Sequence, residues 1–188
     1  MTSTYLPSIV RQFEYYKMLG DKTFAQLSEE QLVWKASDES NSIANIVKHL
    51  WGNMISRWTD FLTTDGEKDW RDREGEFNND GTDREEILAQ WEMGWACLLD
   101  ALRPLTEEDL EKTIYIRNQG HTVTEAINRQ LAHYASHVGQ IMFIGKRLRG
   151  GSWVPLSIPH ADTATYNAQK FAQPKRQEHF TEEFLKEK

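Results

Sequence analysis

The segment TEAINRQLAHYASHVGQIMFIGKRLR, residues 124–149, decides how the rest of this chain is read. It predicts a long helix that stops at Gly150 and Gly151, since glycine readily ends a helix. His133 and His137 lie four residues apart in it, so their side chains project about 40° apart on one helix face, one turn along. Residues 130–145 contain no Asp, Glu, Lys or Arg, where a chain with 27% charged residues would place about four. A helix stretch that excludes charge belongs in the interior. It also holds two histidines and two glutamines, and so falls short of the roughly 20 apolar residues that span a bilayer.

Three further long helices are expected upstream. From Pro7 to Leu27 the positions Ile9, Val10, Phe13, Tyr16, Leu19 and Leu27 recur at helical spacing. Ser42 opens a second helix, Ile43 to Leu62, with an apolar stripe through Ile46, Val47, Leu50, Met54 and Phe61. Asp83 can cap a third that runs through Leu102 with Trp91, Trp95 and Leu98 inward, and Pro104 ends it. Between the first two, Ser28 begins a capping-box-like turn that passes into a polar loop. Thr113 to Thr124 alternates with period two around Asn118, Gln119 and Gly120, which predicts a small hairpin with His121 beside its glycine turn.

Residues 64–82 carry three glycines and dense mixed charge without periodicity, so they read as a long loop. Trp70 and Phe77 are its expected anchors, and the loop is expected to border a cleft. The fold class that follows is all-α: a four-helix bundle over residues 1–150, with a small hairpin before the last helix. Residues 151–188, with three of the five prolines, form a tail expected to pack on the bundle and fray at its end.

A length of 188 residues suits one domain, and 39% hydrophobic residues suffice for a sizeable core. The 22 basic and 29 acidic residues leave a net charge of −7, which argues against nucleic acid and anionic membrane surfaces as partners. The N-terminal residues lack the basic start and apolar run of an export signal. Cys97 is the single cysteine, which allows no internal disulfide and fits a reducing cytoplasm; as a residue it reads as a small buried hydrophobe. Seven tryptophans suggest more apolar helix surface than one core hides, so a homodimer is expected.

The H-x3-H pair is where chemistry enters, because one helical turn holds two imidazoles at the separation of neighbouring ligands around one zinc, nickel or iron ion. A third ligand must come from another element. His49 lies on a polar but uncharged stripe of the second helix, Ser42, Asn45, His49, Asn53 and Ser56, and Lys48 is the one charge between residues 42 and 56. Satisfied core histidines are the alternative to a metal. His121, His160 and His179 lie outside this pattern, in the hairpin and the tail. Arg71 and Arg73, between the loop anchors, are candidates to hold a substrate carboxylate in a bidentate pair. No phosphate-binding glycine loop, nucleophile elbow or H-E-x-x-H pattern is present.

The set SIANIVKHL with Asn53, WRDREGEF at 70–77, and HYASHVGQ at 133–140 resembles the DinB/YfiT-like superfamily over roughly residues 5–150. The resemblance implies a four-helix bundle with His49, His133 and His137 as ligands to a divalent metal, and Asn45, Asn53 and Gln140 supporting them. It also implies an activity: thiol-dependent transfer to a small electrophile, with a low-molecular-weight thiol as cosubstrate. A metal-dependent hydrolase using the same ligands, and a non-catalytic stress-associated bundle, are the other functions to weigh.

Overall fold

A computed structural model describes residues 5–77 and 83–186. Among them the chain is mainly helical, with seven helices and one two-stranded sheet. No helix is long and apolar enough to cross a membrane.

Helix α1 (Tyr5–Phe24) begins two residues before Pro7, which is tolerated because the first turn of a helix has no partners for its amides. A short α2 (Glu29–Leu32) follows, and then α3 (Ile43–Trp58), whose first turn is closed by Ser42 and Asn45. Ser42 Oγ accepts from the Asn45 amide at 3.1 Å, and Asn45 Oδ1 accepts in return from the Ser42 amide at 3.1 Å. The apolar pattern predicts α3 as far as Leu62, but the chain leaves the helix at Thr59, which is extended. Asp60 then takes a left-handed φ of 50°. Its carbonyl collects the amides of Thr63 and Thr64, each at 3.0 Å, so a tight turn replaces the last helical turn while Phe61 stays buried.

Helix α4 (Arg84–Leu102) is capped by Asp83, whose carboxylate accepts from the Glu86 amide at 2.8 Å. Strands β1 (Thr113–Ile116) and β2 (Gln119–Thr122) pair antiparallel, with Ile116 opposite Gln119. The turn therefore lies at Arg117–Asn118, earlier than the expected glycine turn; both have positive φ, and Gly120 sits within β2 opposite Tyr115. Asp65 holds this left-handed pair in place: its carboxylate accepts from the Arg117 and Asn118 amides, each at 2.8 Å. Helix α5 (Val123–Arg149) starts in a Thr122–Glu125 capping box and ends at Gly150, where φ is 53°.

The long helices α1, α3, α4 and α5 enclose the core, each lying against two of the others: α1 and α3 both touch α4 and α5. An aromatic column of Phe13, Phe24, Trp91, Trp95 and Tyr134 fills the middle, all of it buried. Its rings meet edge-on, as in Phe24–Trp91 at 5.0 Å and Trp91–Trp95 at 5.3 Å. Burying each such side chain stabilises the fold by roughly 1.5–3 kcal/mol. The tail adds α6 (Thr163–Phe171) and α7 (Glu182–Leu185), and α7 lies against α1. After Pro174 the tail returns to α1: Ser8 Oγ and His179 Nε2 are 3.0 Å apart, and Arg11 pairs with Glu182. Residues 187–188, the end of the expected frayed segment, lie outside the described residues.

Candidate metal centre

Helices α3 and α5 lie side by side, so the buried stripe of α3 faces the charge-free stretch of α5. His49, His133 and His137 meet there, with one ligand atom from each within 4.8 Å of the others. His133 Nε2 lies 3.3 Å from His49 Nε2 and 3.1 Å from His137 Nε2. Two nitrogens bound to one ion at about 2.0–2.1 Å in tetrahedral geometry would be about 3.3 Å apart.

The opposite nitrogen of each ring faces a side-chain oxygen. His49 Nδ1 is 2.9 Å from Glu76 Oε2, His133 Nδ1 is 3.3 Å from Gln130 Oε1, and His137 Nδ1 is 3.0 Å from Gln140 Oε1. Oxygen acceptors at all three Nδ1 positions favour the tautomer that carries its proton there, which leaves a lone pair at every Nε2. The lone pairs of His49 and His137 then both lie against that of His133, and such neighbours repel each other unless a cation lies between them. The donor set therefore fits a divalent metal, and the oxygens behind the rings are the kind of partner that fixes metal-ligating histidines. Burial, together with the neighbouring charges of His137 and His49, pushes the pKa of His133 down to about 3. Burial also lowers that of His137, so both rings are neutral and ligand-competent at pH 7.

Glu76 comes from the loop that follows α3, and it is only 4% exposed. Burial works against its ionisation, but hydrogen bonds from His49 and Arg71 outweigh it and hold the carboxyl below the usual carboxylate range. Arg71 grips the carboxylate in a fork, Nε to Oε1 at 2.7 Å and Nη2 to Oε2 at 3.0 Å. Arg71 also lies 3.7 Å from Glu67, which receives Arg57 at 2.9 Å and Arg117 at 3.2 Å. A continuous chain of opposite charges thus runs from the end of α3 and the hairpin turn to His49. Gly52 leaves space for it: a Cβ there would stand 2.3 Å from Glu76 Oε1.

Several expected roles change. The Arg71 side chain is 3% exposed and committed to Glu76, so it positions a histidine rather than awaiting a substrate; Arg73 is 52% exposed, with its guanidinium 5.9 Å from the Phe77 ring centre. Phe77 stacks on His49 at 5.6 Å and anchors the loop, whereas Trp70, the other expected anchor, is 60% exposed. Residues 78–82 of that loop lie outside the described residues. Of the three side chains expected to support the imidazoles, Gln140 bonds one directly. Asn45 acts at one remove, donating to the Phe77 carbonyl at 2.7 Å, and Asn53 accepts from the Tyr134 hydroxyl at 3.0 Å. Glu76 and Gln130 stand outside the expected set. For Gln130 a signal exists, because Gln-x2-His-x3-His-x2-Gln places both glutamines one turn outside the histidine pair. Glu76 has none, since Asp72 and Glu74 beside it are equally acidic.

No curated protein and no solved structure matches the sequence. One family model does, over residues 1–162, and by that match the chain belongs to the family described as Protein of unknown function (DUF1572).

Proposed function

We propose that this protein is a metal-dependent enzyme of the DinB/YfiT-like type, a four-helix bundle that transfers a low-molecular-weight thiol to a small electrophile. The observation that supports it most is the convergence of three Nε2 atoms, each imidazole fixed from behind by an oxygen. One histidine from α3 and an H-x3-H pair from α5 is also the ligand order that the resemblance implies. Zinc, nickel and iron all suit imidazole, and three neutral ligands leave positions open for a further ligand. When bound, such a cation supplies Lewis-acid activation, lowering the pKa of a thiol at the open position.

The chain's own groups do the rest. Glu76, Gln130 and Gln140 hold the rings; Phe77 covers one face of His49. Arg73, 3.8 Å from Glu74 and 52% exposed, offers a guanidinium over the Phe77 ring to a carboxylate on the thiol. In the transfer, the thiol sulfur forms a bond to the electrophilic carbon, the leaving group departs with its electron pair, and the thiol proton passes to solvent. Transfer is preferred to hydrolysis because the carboxylate beside the imidazoles, Glu76, is tied to His49 and Arg71 and is not free to act as a general base.

The test is turnover of 1-chloro-2,4-dinitrobenzene by metal-loaded protein with and without added cysteine. The proposal expects thioether formation above the uncatalysed rate of thiol and substrate only when metal-loaded protein and thiol are both present. Metal-dependent loss of substrate without thiol would make the protein a hydrolase, and absence of turnover across a panel of thiols and electrophiles would leave a non-catalytic bundle.

A further inference from the structure

A cavity of about 510 Å³ opens between the loop before α3, the start of α3 and the part of α5 one helical turn after His137. Ile46 of α3 lies three residues before His49, and Ser136 of α5 is the neighbour of His137. Gln140 belongs to both places: it lines the cavity and bonds His137 Nδ1 at 3.0 Å. Trp34, Ile144 and Phe143 give the cavity its apolar wall. Phe143 is 70% exposed, although it sits on the helix that carries two of the three histidines.

None of the ten lining residues is charged, where a chain with 27% charged residues would put about three. A larger cavity, about 780 Å³ between α1 and the tail, differs on both counts. Lys22, Asp162 and Glu183 line it, and it shares no residue with the histidine cluster. A volume near 500 Å³ with apolar walls and a few amide and hydroxyl groups is the composition of a small-molecule site. An anion there would lose its hydration without meeting a cation, whereas a neutral ring would bury against Trp34 and Phe143 at no such cost.

We infer that this cavity is the subsite for the second substrate, and that it selects an uncharged, predominantly apolar molecule such as a substituted arene. The inference deepens the metal-dependent transfer proposed above and rests on it for the word substrate. Charge would then be divided between the reactants, with the anionic group belonging to the thiol at Arg73 and the electrophile neutral.

Gly139 provides the test. It lines the cavity, its φ is not positive, and a Cβ there would meet no atom within 4 Å, so Gly139→Leu fills the space without disturbing the helix. The probes are 1-naphthol, neutral at pH 7, and 1-naphthalenesulfonate, the same ring with a charge. Calorimetry on zinc-loaded protein should show 1-naphthol binding at least tenfold more tightly than the sulfonate. Gly139→Leu should weaken it at least tenfold with zinc content unchanged, and Phe143→Ala, at an exposed position, should weaken it severalfold. Cobalt in place of zinc should broaden the proton resonances of bound 1-naphthol. Equal affinity for the two probes, 1-naphthol binding unaffected by Gly139→Leu, or resonances untouched by cobalt would each overturn the inference. A second copy of the chain on this face would also overturn it, and would show as a dimer that Phe143→Ala dissociates in light scattering. Failure of the metal reading is separately visible: a protein that takes up no cobalt but still binds 1-naphthol in a Gly139→Leu-sensitive way keeps the cavity and loses the metal.

Discussion

Gly20 on α1 and Gly52 on α3 occupy equivalent situations in two different regions. Both lie inside helices, where alanine would ordinarily be more stable by roughly 0.5–1 kcal/mol. A Cβ at Gly20 would stand 2.2 Å from Trp91 Cζ2, and one at Gly52 would stand 2.3 Å from Glu76 Oε1. The first glycine makes room for an indole in the aromatic column. The second makes room for the carboxylate that fixes His49. Between α1 and α4 the chain buries rings that pack mainly by shape, with the Trp91 indole N–H donating to Asp21 Oδ1 at 2.7 Å. Between α3 and α5 it sets the buried His49, Gln130 and Glu76 beside the half-buried His133 and His137, each of which needs a specific partner. The aromatic region stabilises the fold, and the polar region uses some of that stability to hold three imidazoles at one point.

Alanine at each glycine is the sharpest way to separate the two regions. Gly20→Ala should cost about 1–3 kcal/mol in urea denaturation, because a packed indole cannot retreat, and should leave metal affinity as it was. Gly52→Ala should cost little stability, because a carboxylate at the end of a flexible side chain can swing aside. His49 then loses its partner, and metal affinity should fall about 10–100-fold in a competition titration with a chelator. If Gly52→Ala bound metal like wild type, the Glu76–His49 contact would be irrelevant to the site.

The two loop arginines extend the contrast from glycine to charge. Arg71→Ala should lower metal affinity by up to about tenfold, since Glu76 loses its fork and His49 is held less firmly. Arg73→Ala should leave metal affinity unchanged and raise KM for an anionic thiol in steady-state kinetics.

The smallest expected effect is on pH dependence. In metal-free protein His133 has a folded pKa of about 3, against about 6.5 unfolded, so the unfolded chain binds a proton that the folded chain refuses. Stability is thus complete above about pH 6.5 and is lost as pH falls toward 3; the lowered pKa of Glu76 acts in the same direction at the acid end. Thermal melts of the metal-free protein should show Tm flat above about pH 6.5 and declining below it. In the His133→Asn variant the decline between about pH 6.5 and 4.5 should be shallower.

The sequence was informative wherever one periodic element carried the signal. The uncharged stripe at 42–56 marks an interior helix, and its histidine does face the pair on α5; charge exclusion over residues 130–145 does not mean burial, since Ala132, Ser136, Gly139, Gln140 and Phe143 are exposed there and only one face of α5 packs on the core. It was less informative where the determining contact crosses the chain. The hairpin turn sits at Arg117–Asn118 because Asp65, some fifty residues earlier, accepts both amides; local composition favoured Gly120 instead. Trp70 looked like the loop anchor because it is large and aromatic, yet the space beside α3 is shaped by Gly52 and admits Glu76. Arg71 and Arg73 are indistinguishable in sequence, and only their partners separate a buried fork from an exposed guanidinium.

The convergence of His49, His133 and His137 on one cation is tested most directly by X-ray absorption on zinc-loaded protein, with metal content measured on the same sample. The expected result is one zinc per chain, a nitrogen or oxygen shell at about 2.0–2.1 Å, and outer-shell scattering from three imidazoles that falls to two in His133→Ala. A spectrum without imidazole scattering, or zinc uptake by wild type no greater than by the variant lacking all three histidines, would contradict it.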